Sequence, residues 1–313
     1  MKYLLATTIL FSLFSCSVTS HKASLFSKGM SIGLDQVGME KTGPIRFQKI
    51  IVADWVGDRD GLIDIDDPKA VAAGLEKGKE PIQIYFYTIT HPKFGTYLVD
   101  SGVSQSFRKD PKEWPITGIV ASEMNFSYLK IRQTTKEWLD AHPNRIEAVL
   151  LTHSHLDHIL GISDLPEGIP ILAGPKETTH TYFLNAFVQG MTDTLLGDKP
   201  KLYELDFPEE EKNPSLRILD FFGDKSFLVI HVPGHTSGSL AFVVKSTSGI
   251  HLLTGDSSHT NWGWNNNVTP GQYSEDKQKN KESLDFLKKV ASQFPGIEVH
   301  CGHQSFTGTA QKD

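Results

Sequence analysis

From Phe47 to Val299 the chain alternates short apolar runs with polar, glycine- and proline-bearing stretches. The runs Lys49–Ala53, Ile82–Ile89, Thr96–Val99, Ile146–Leu151, Ile171–Ala173, Phe227–Val232, Leu240–Val244, Ile250–Leu253 and Ile297–Val299 read as strands. Several are apolar at consecutive positions, as in Ala148-Val149-Leu150-Leu151, which predicts strands covered on both faces. Between them, Ser283–Phe294 places Leu284, Leu287, Val290 and Phe294 on one stripe, so it predicts a helix. Asn125–Leu139 and Lys176–Val188 also read as helical. Strands mixed with peripheral helices predict one α/β domain over residues 46–313.

The first residues follow a different pattern. Met1-Lys2 is a short basic start, and Tyr3–Phe14 is a mostly apolar run of 12 residues without a charge. That suits a signal-peptide core of about 7–15 residues and falls short of the ~20 that span a bilayer. The run ends in Leu13-Phe14-Ser15-Cys16, which resembles the bacterial lipobox. The resemblance implies that residues 1–16 are a signal peptide with a lipobox, that Cys16 becomes the lipidated first residue of the mature protein, and that the protein is exported and anchored in the cell envelope. The alternative is an ordinary secretory signal and a soluble periplasmic or secreted protein. Residues 17–45 are polar without a period and read as a tether.

Composition narrows the function classes. With 39% hydrophobic and 22% charged residues the chain is globular rather than disordered. A net charge of -6 disfavours a nucleic-acid partner. Two cysteines, Cys16 and Cys301, exclude a disulfide-framed fold. Asp58-Arg59-Asp60-Gly61 with Asp64 and Asp67 partly copies a calcium loop, but Val56 stands where the first carboxylate belongs. It reads as a solvated acidic turn.

The chemistry concentrates in Thr152-His153-Ser154-His155-Leu156-Asp157-His158, directly after a buried strand. Three imidazoles and a carboxylate there are costly to desolvate without a partner, and a divalent cation supplies one. The pattern His-x-His-x-Asp-His resembles the metallo-β-lactamase superfamily. The other landmarks follow in that family's order: Asp100-Ser101-Gly102, Pro233-Gly234-His235-Thr236, Thr254-Gly255-Asp256 and Gly302-His303. The resemblance spans roughly residues 47–304. It implies a four-layer αβ/βα sandwich, two mixed β-sheets flanked by helices.

Carried over residue by residue, it also implies two metal sites. His153, His155 and His235 would hold one metal, Asp157, His158 and His303 the other, and Asp256 would bridge them. Asp157 and Asp256 are the carboxylates expected to serve catalysis. His231 and His300 compete with His235 and His303. The Pro-Gly turn before His235 and the glycine before His303, which permits close approach, favour the latter pair. Asp100 is expected to orient a ligand histidine rather than to bind metal. His21, His91, His142, His180, His251 and His259 receive no role.

Ligand identity points to a branch. His155 stands where redox di-iron members typically carry glutamate, and Asp256 where one group of β-lactamases carries cysteine. Asp256 in Thr-Gly-Asp points to the lactonase, glyoxalase II and phosphodiesterase branches; the signal segment and the net charge disfavour the last, so the resemblance implies a dinuclear hydrolase of the lactonase or glyoxalase II-like branch that opens a lactone or thioester carbonyl of a small-molecule substrate. Zinc is the default metal, two ions per chain, with iron, cobalt or manganese compatible with the ligands. The rival readings are an envelope β-lactamase and a metal-binding envelope protein without turnover. Residues 175–225 and 257–275 are expected to wall the pocket. Tyr182 and Tyr203 lie where a substrate-positioning tyrosine could come from, but no motif selects either.

Overall fold

In the computed structural model, which describes residues 16–38, 42–207 and 217–304, the apolar runs become strands whose alternate side chains enter different cores. Tyr85, Tyr87 and Ile89 join Ala148, Leu150, Phe227, Val229, Phe242 and Val244 in a core enclosed between two sheets. Their neighbours Ile84, Phe86 and Val149 point the other way, onto Trp138, Ile159 and Leu195 of flanking helices. Leu228, Ile230, Ala241 and Val243 do the same behind the second sheet, against Leu284, Leu287, Val290 and Phe294. Both faces of each sheet are therefore covered, which is why these strands are apolar at every position. The result is the four-layer αβ/βα arrangement.

Among the described residues, the first sheet runs Ser24–Phe26, Lys201–Leu205, Pro170–Ala173, Ile146–Leu150, Gly95–Val99, Lys79–His91, Arg46–Asp58 and Lys130–Ile131 in spatial order. Its members from Ser24–Phe26 to Gly95–Val99 pair parallel and the rest antiparallel. The second runs Glu298–His300, Gly249–Leu253, Leu240–Ser246, Phe227–His231, Arg217–Asp220 and Met30–Ile32, with only the first pair parallel. The helix Lys277–Ser292 is capped by Asp276, whose carboxylate accepts from the Lys279 amide. Burying each of its Leu284, Leu287 and Val290 side chains contributes about 1.5–3 kcal/mol.

Three local readings differ from the structure. Within 125–139 the helix is confined to Thr135–Ala141, closed by a Thr134–Glu137 capping box. Asn125 takes a left-handed φ of 56°, and Lys130–Ile131 pairs with Ala53 and Asp54 as an edge strand. Within 176–188, Thr181–Tyr182 pairs with Cys16–Ser17, and the helix begins only at Asn185 and runs to Leu196. In both places pairing across the fold overrides a helical local pattern. The stretch 17–45, expected as a tether, supplies Ser24–Phe26 to one sheet and Met30–Ile32 to the other, so its described residues are part of the domain.

The Tyr3–Phe14 run lies outside the described residues, and no helix among those described is long and apolar enough to cross a membrane. The acidic turn after Val56 is neutralised from within: Asp58 pairs with Lys79, Asp60 with Lys77, and Asp64 with Lys277.

Candidate metal centre

The strand Ile146–Leu150 ends under the second sheet, and the residues that follow turn into the short helix Leu156–Ile159. That turn presents His153 and His155 on one side and Asp157 and His158 on the other. His235 arrives on the turn after Phe227–His231, Asp256 on the turn after Gly249–Leu253, and His303 after the edge strand Glu298–His300. All seven candidate ligands thus come from the turns and the short helix that follow strand ends.

They fall into two groups. His235 Nε2 lies 3.1 Å from His153 Nε2 and 2.9 Å from His155 Nδ1. Asp157 Oδ2 lies 3.2 Å from His303 Nε2 and 3.5 Å from His158 Nε2. One atom, Asp256 Oδ2, reaches both groups. It is 3.3 Å from His158 Nε2 and His303 Nε2, 3.6 Å from His235 Nε2 and 3.7 Å from His153 Nε2. His231 points away, its Nε2 on the Ser237 carbonyl, and His300 belongs to a separate cluster.

The donor set fits cations. Among the described residues Asp256 Oδ1 is buried without a hydrogen-bond partner, an expensive state for a carboxylate oxygen. Burial, reinforced by neighbouring histidines, keeps His153 and His235 neutral well below the usual imidazole range, and burial pushes His155 down to about 4. Their lone pairs are free to bind metal. In the second group burial also acts to lower His158 and His303. The carboxylates outweigh it, raising His158 well above its usual value and His303 to about 10. Those protons occupy the place of positive charge that a divalent ion would supply.

Supporting groups fix each ring. Asp100, at a left-handed φ of 60°, aims its carboxylate back at the cluster, accepting from His158 Nδ1 at 2.9 Å and from the Thr152 amide at 2.8 Å. The Gln83 carbonyl lies 3.0 Å from His303 Nδ1. Gly302 passes so close to the carboxylate that a side chain there would meet Asp256 Oδ1.

Two residues carry more than the sequence reading assigned. His259 received no role, yet its Nε2 lies 2.9 Å from Asp256 Oδ2 and its Nδ1 3.3 Å from the Leu62 carbonyl. Its spacing of three from Asp256, across one tight turn, was the available signal. Glu177 is buried and accepts from the Ser154 amide at 2.6 Å, the Gly238 amide at 2.9 Å and Thr236 Oγ1 at 2.7 Å. It ties the turn bearing His153 and His155 to the turn bearing His235. No pattern in the sequence marked it.

Above the cluster opens a cavity of about 610 Å³ with His155, Asp157, His235, Asp256, His259 and His303 in its lining. Trp55, Leu62, Ile82, Met124, Leu184, Val188 and Tyr273 supply apolar wall. The expected wall segments contribute Tyr182–Val188, His259 and Gln272–Tyr273, while Trp55–Leu62, Lys77–Ile82, Glu123–Asn125 and Val18 were not foreseen. Tyr182 lines the cavity, whereas Tyr203 packs edge-on against Phe26, 5.5 Å between ring centres.

Known proteins share parts of this chain. A hydroxyacylglutathione hydrolase of Vibrio campbellii is 33% identical over 109 residues, 34% of this chain and 32% of that protein. The chain spans about a third or less of the length of the curated relatives it matches first. An N-acyl homoserine lactone hydrolase, solved with N-hexanoyl-L-homoserine bound at its catalytic metal centre, superposes with TM-score 0.55 at 17% identity, over 84% of this chain and 94% of that one. AidC, a dizinc quorum-quenching lactonase, gives TM-score 0.53 at 15% identity, over 90% of this chain and 92% of that one. At these identities the structures speak for the fold alone. The family model described as metallo-beta-lactamase superfamily matches residues 80–303, and with the ordered motifs and the layered fold it establishes that the chain belongs to that superfamily.

Proposed function

We propose that this chain is a dinuclear metal-dependent hydrolase that opens an ester-like carbonyl, a lactone or thioester carrying an apolar group. The observation that carries the reading is Asp256 Oδ2, within 3.3–3.7 Å of ligand nitrogens from both groups at the base of a cavity with apolar walls. His153, His155 and His235 would hold one ion, and Asp157, His158 and His303 the other. A bound divalent pair supplies a hydroxide near neutral pH and polarises the substrate carbonyl, with zinc favoured by the imidazole-rich set.

The chain's own groups do the rest. Asp256 is shared between the two sets; as a carboxylate it would take up the proton released by the attacking water and pass it to the departing oxygen. Asp157 holds the second group together beside His303. His259 anchors Asp256 Oδ2 from the cavity side. The apolar part of the wall, from Trp55, Leu62, Ile82, Met124, Leu184 and Val188, would receive the substrate's apolar portion. The partial sequence match to a hydroxyacylglutathione hydrolase, an enzyme acting on an acyl compound, supports the reading. The negative net charge of -6 leaves no evident basic track for a polyphosphodiester.

We propose further that the protein is exported and lipidated at Cys16, on the strength of the Tyr3–Phe14 run and Leu13–Cys16. The test of the reaction class is a side-by-side assay of the metal-loaded protein on lactones, thioesters, a penicillin and a bis-aryl phosphodiester. Activity on a lactone or thioester should vanish with a chelator and return with zinc or another divalent ion. A tenfold or larger kcat/KM preference for the penicillin or the phosphodiester, about 1.4 kcal/mol of transition-state binding, overturns the assignment.

A further inference from the structure

A second histidine cluster lies outside this centre, where the edge strand Glu298–His300 joins the second sheet. It pairs with Gly249–Leu253 through only three register partners, His251 with Glu298, Leu252 with Val299, and Leu253 with His300. Glu298 and His300 are two apart and share a face, which His251 also presents. His251 Nδ1 lies 3.2 Å from His300 Nε2 and 3.5 Å from Glu298 Oε2, and His300 Nε2 lies 3.3 Å from Glu298 Oε1. Bonds of about 2.0–2.1 Å from a tetrahedral zinc separate neighbouring ligand atoms by about 3.3–3.4 Å. The two ring nitrogens and the carboxylate oxygens facing them already sit near that spacing, 3.2–3.5 Å, as do the donors of the main centre.

We propose that His251, Glu298 and His300 form an additional structural site for zinc or a similar divalent cation. Ser246 Oγ lies 2.9 Å from the Gly249 carbonyl, to which it donates, and 3.1 Å from His251 Nε2. A proton held on Nε2 toward that oxygen leaves the Nδ1 lone pair facing His300 and Glu298. Phe47 stacks on the His251 ring at 4.1 Å and sets its orientation. Both imidazoles are buried, 7% and 2% exposed, while the Glu298 side chain is 34% exposed at the sheet edge, the side from which a water would complete the ion's coordination.

The position gives the site a purpose. The strand Gly249–Leu253 delivers Asp256, and Glu298–His300 delivers His303, each three residues beyond its end. An ion here would clip together the two strands on which the main centre depends. The competing source of positive charge is Lys49, whose ammonium feels Glu298 and lies over the Tyr85 ring at 3.9 Å. In that case the cluster is a hydrogen-bonded network with no ion.

The inference stands apart from the proposed reaction, because its readout is metal content. Full-length protein, Glu298→Gln, His251→Gln and Lys49→Met are loaded with zinc, dialysed against a zinc buffer, and measured for metal per chain. Glu298→Gln and His251→Gln should each lose one equivalent relative to the unaltered protein, and Lys49→Met should keep it. Glu298 lies at the edge of the sheet, so its substitution keeps the test open if His251→Gln fails to fold. Equal metal in the unaltered protein and Glu298→Gln overturns the proposal, as does loss of one equivalent in Lys49→Met alone.

Discussion

Replacing Gly302 with alanine tests the metal-centre reading through one added methyl group. A Cβ built on Gly302 would lie 1.9 Å from Asp256 Oδ1, and real Cβ contacts essentially never fall below 3.0 Å. About 1.1 Å, 3.0 less 1.9, must come from movement of Asp256 or of the chain at Gly302. Either route disturbs a ligand. Asp256 Oδ2 serves both groups, and the chain at Gly302 leads directly into His303, whose Nε2 is 3.2 Å from Asp157 Oδ2. Misplacing a catalytic group by about 1 Å costs roughly 100-fold in rate, or about 2.7 kcal/mol in the barrier. Gly302→Ala should therefore lower kcat on the preferred lactone or thioester about 100-fold and loosen at least one metal. Metal content, steady-state kinetics and a circular-dichroism melt on the same preparation separate this from unfolding. A folded Gly302→Ala protein with unaltered kcat and two tightly held ions at the centre would refute the reasoning.

Metal affinity at the two groups should respond differently to pH. His155 titrates at about 4, so the affinity of the three-histidine group should change little above that value. In the metal-free protein His303 holds its proton up to about 10, so an ion entering the second group near neutrality must displace it. Affinity there should rise as pH rises toward 10, by up to about tenfold per unit for each proton released, in chelator competition. Equal slopes for both ions would sink this account. His259→Phe removes the 2.9 Å contact with Asp256 Oδ2 while keeping a ring beside Tyr273, and should cost about tenfold or more in kcat with metal content unchanged. A His259→Phe enzyme as fast as the parent would deny His259 that function. If Cys16 is the anchor, radiolabelled fatty acid will appear on the protein and Cys16→Ala will abolish it; an unlabelled mature protein free of membranes would favour a simple secretory signal.

What could be read without coordinates was whatever the chain encodes locally. His153, His155, Asp157 and His158 fall within six residues, so one turn after one buried strand must gather them wherever the rest of the chain goes. The consecutive apolar runs likewise record that each central strand is covered on both faces. Tertiary structure decided everything that depends on which distant segments meet. It placed His235 and His303 beside the cluster while turning His231 and His300 elsewhere, because strand ends, not histidine counts, aim the side chains. It brought His259 onto Asp256 and set Glu177 as a brace between two turns about 80 residues apart, relations that leave no periodic trace in sequence. It also recruited Ser24–Phe26 and Met30–Ile32 from a stretch too polar and irregular to announce itself, since an edge strand needs a partner's backbone more than apolar side chains of its own.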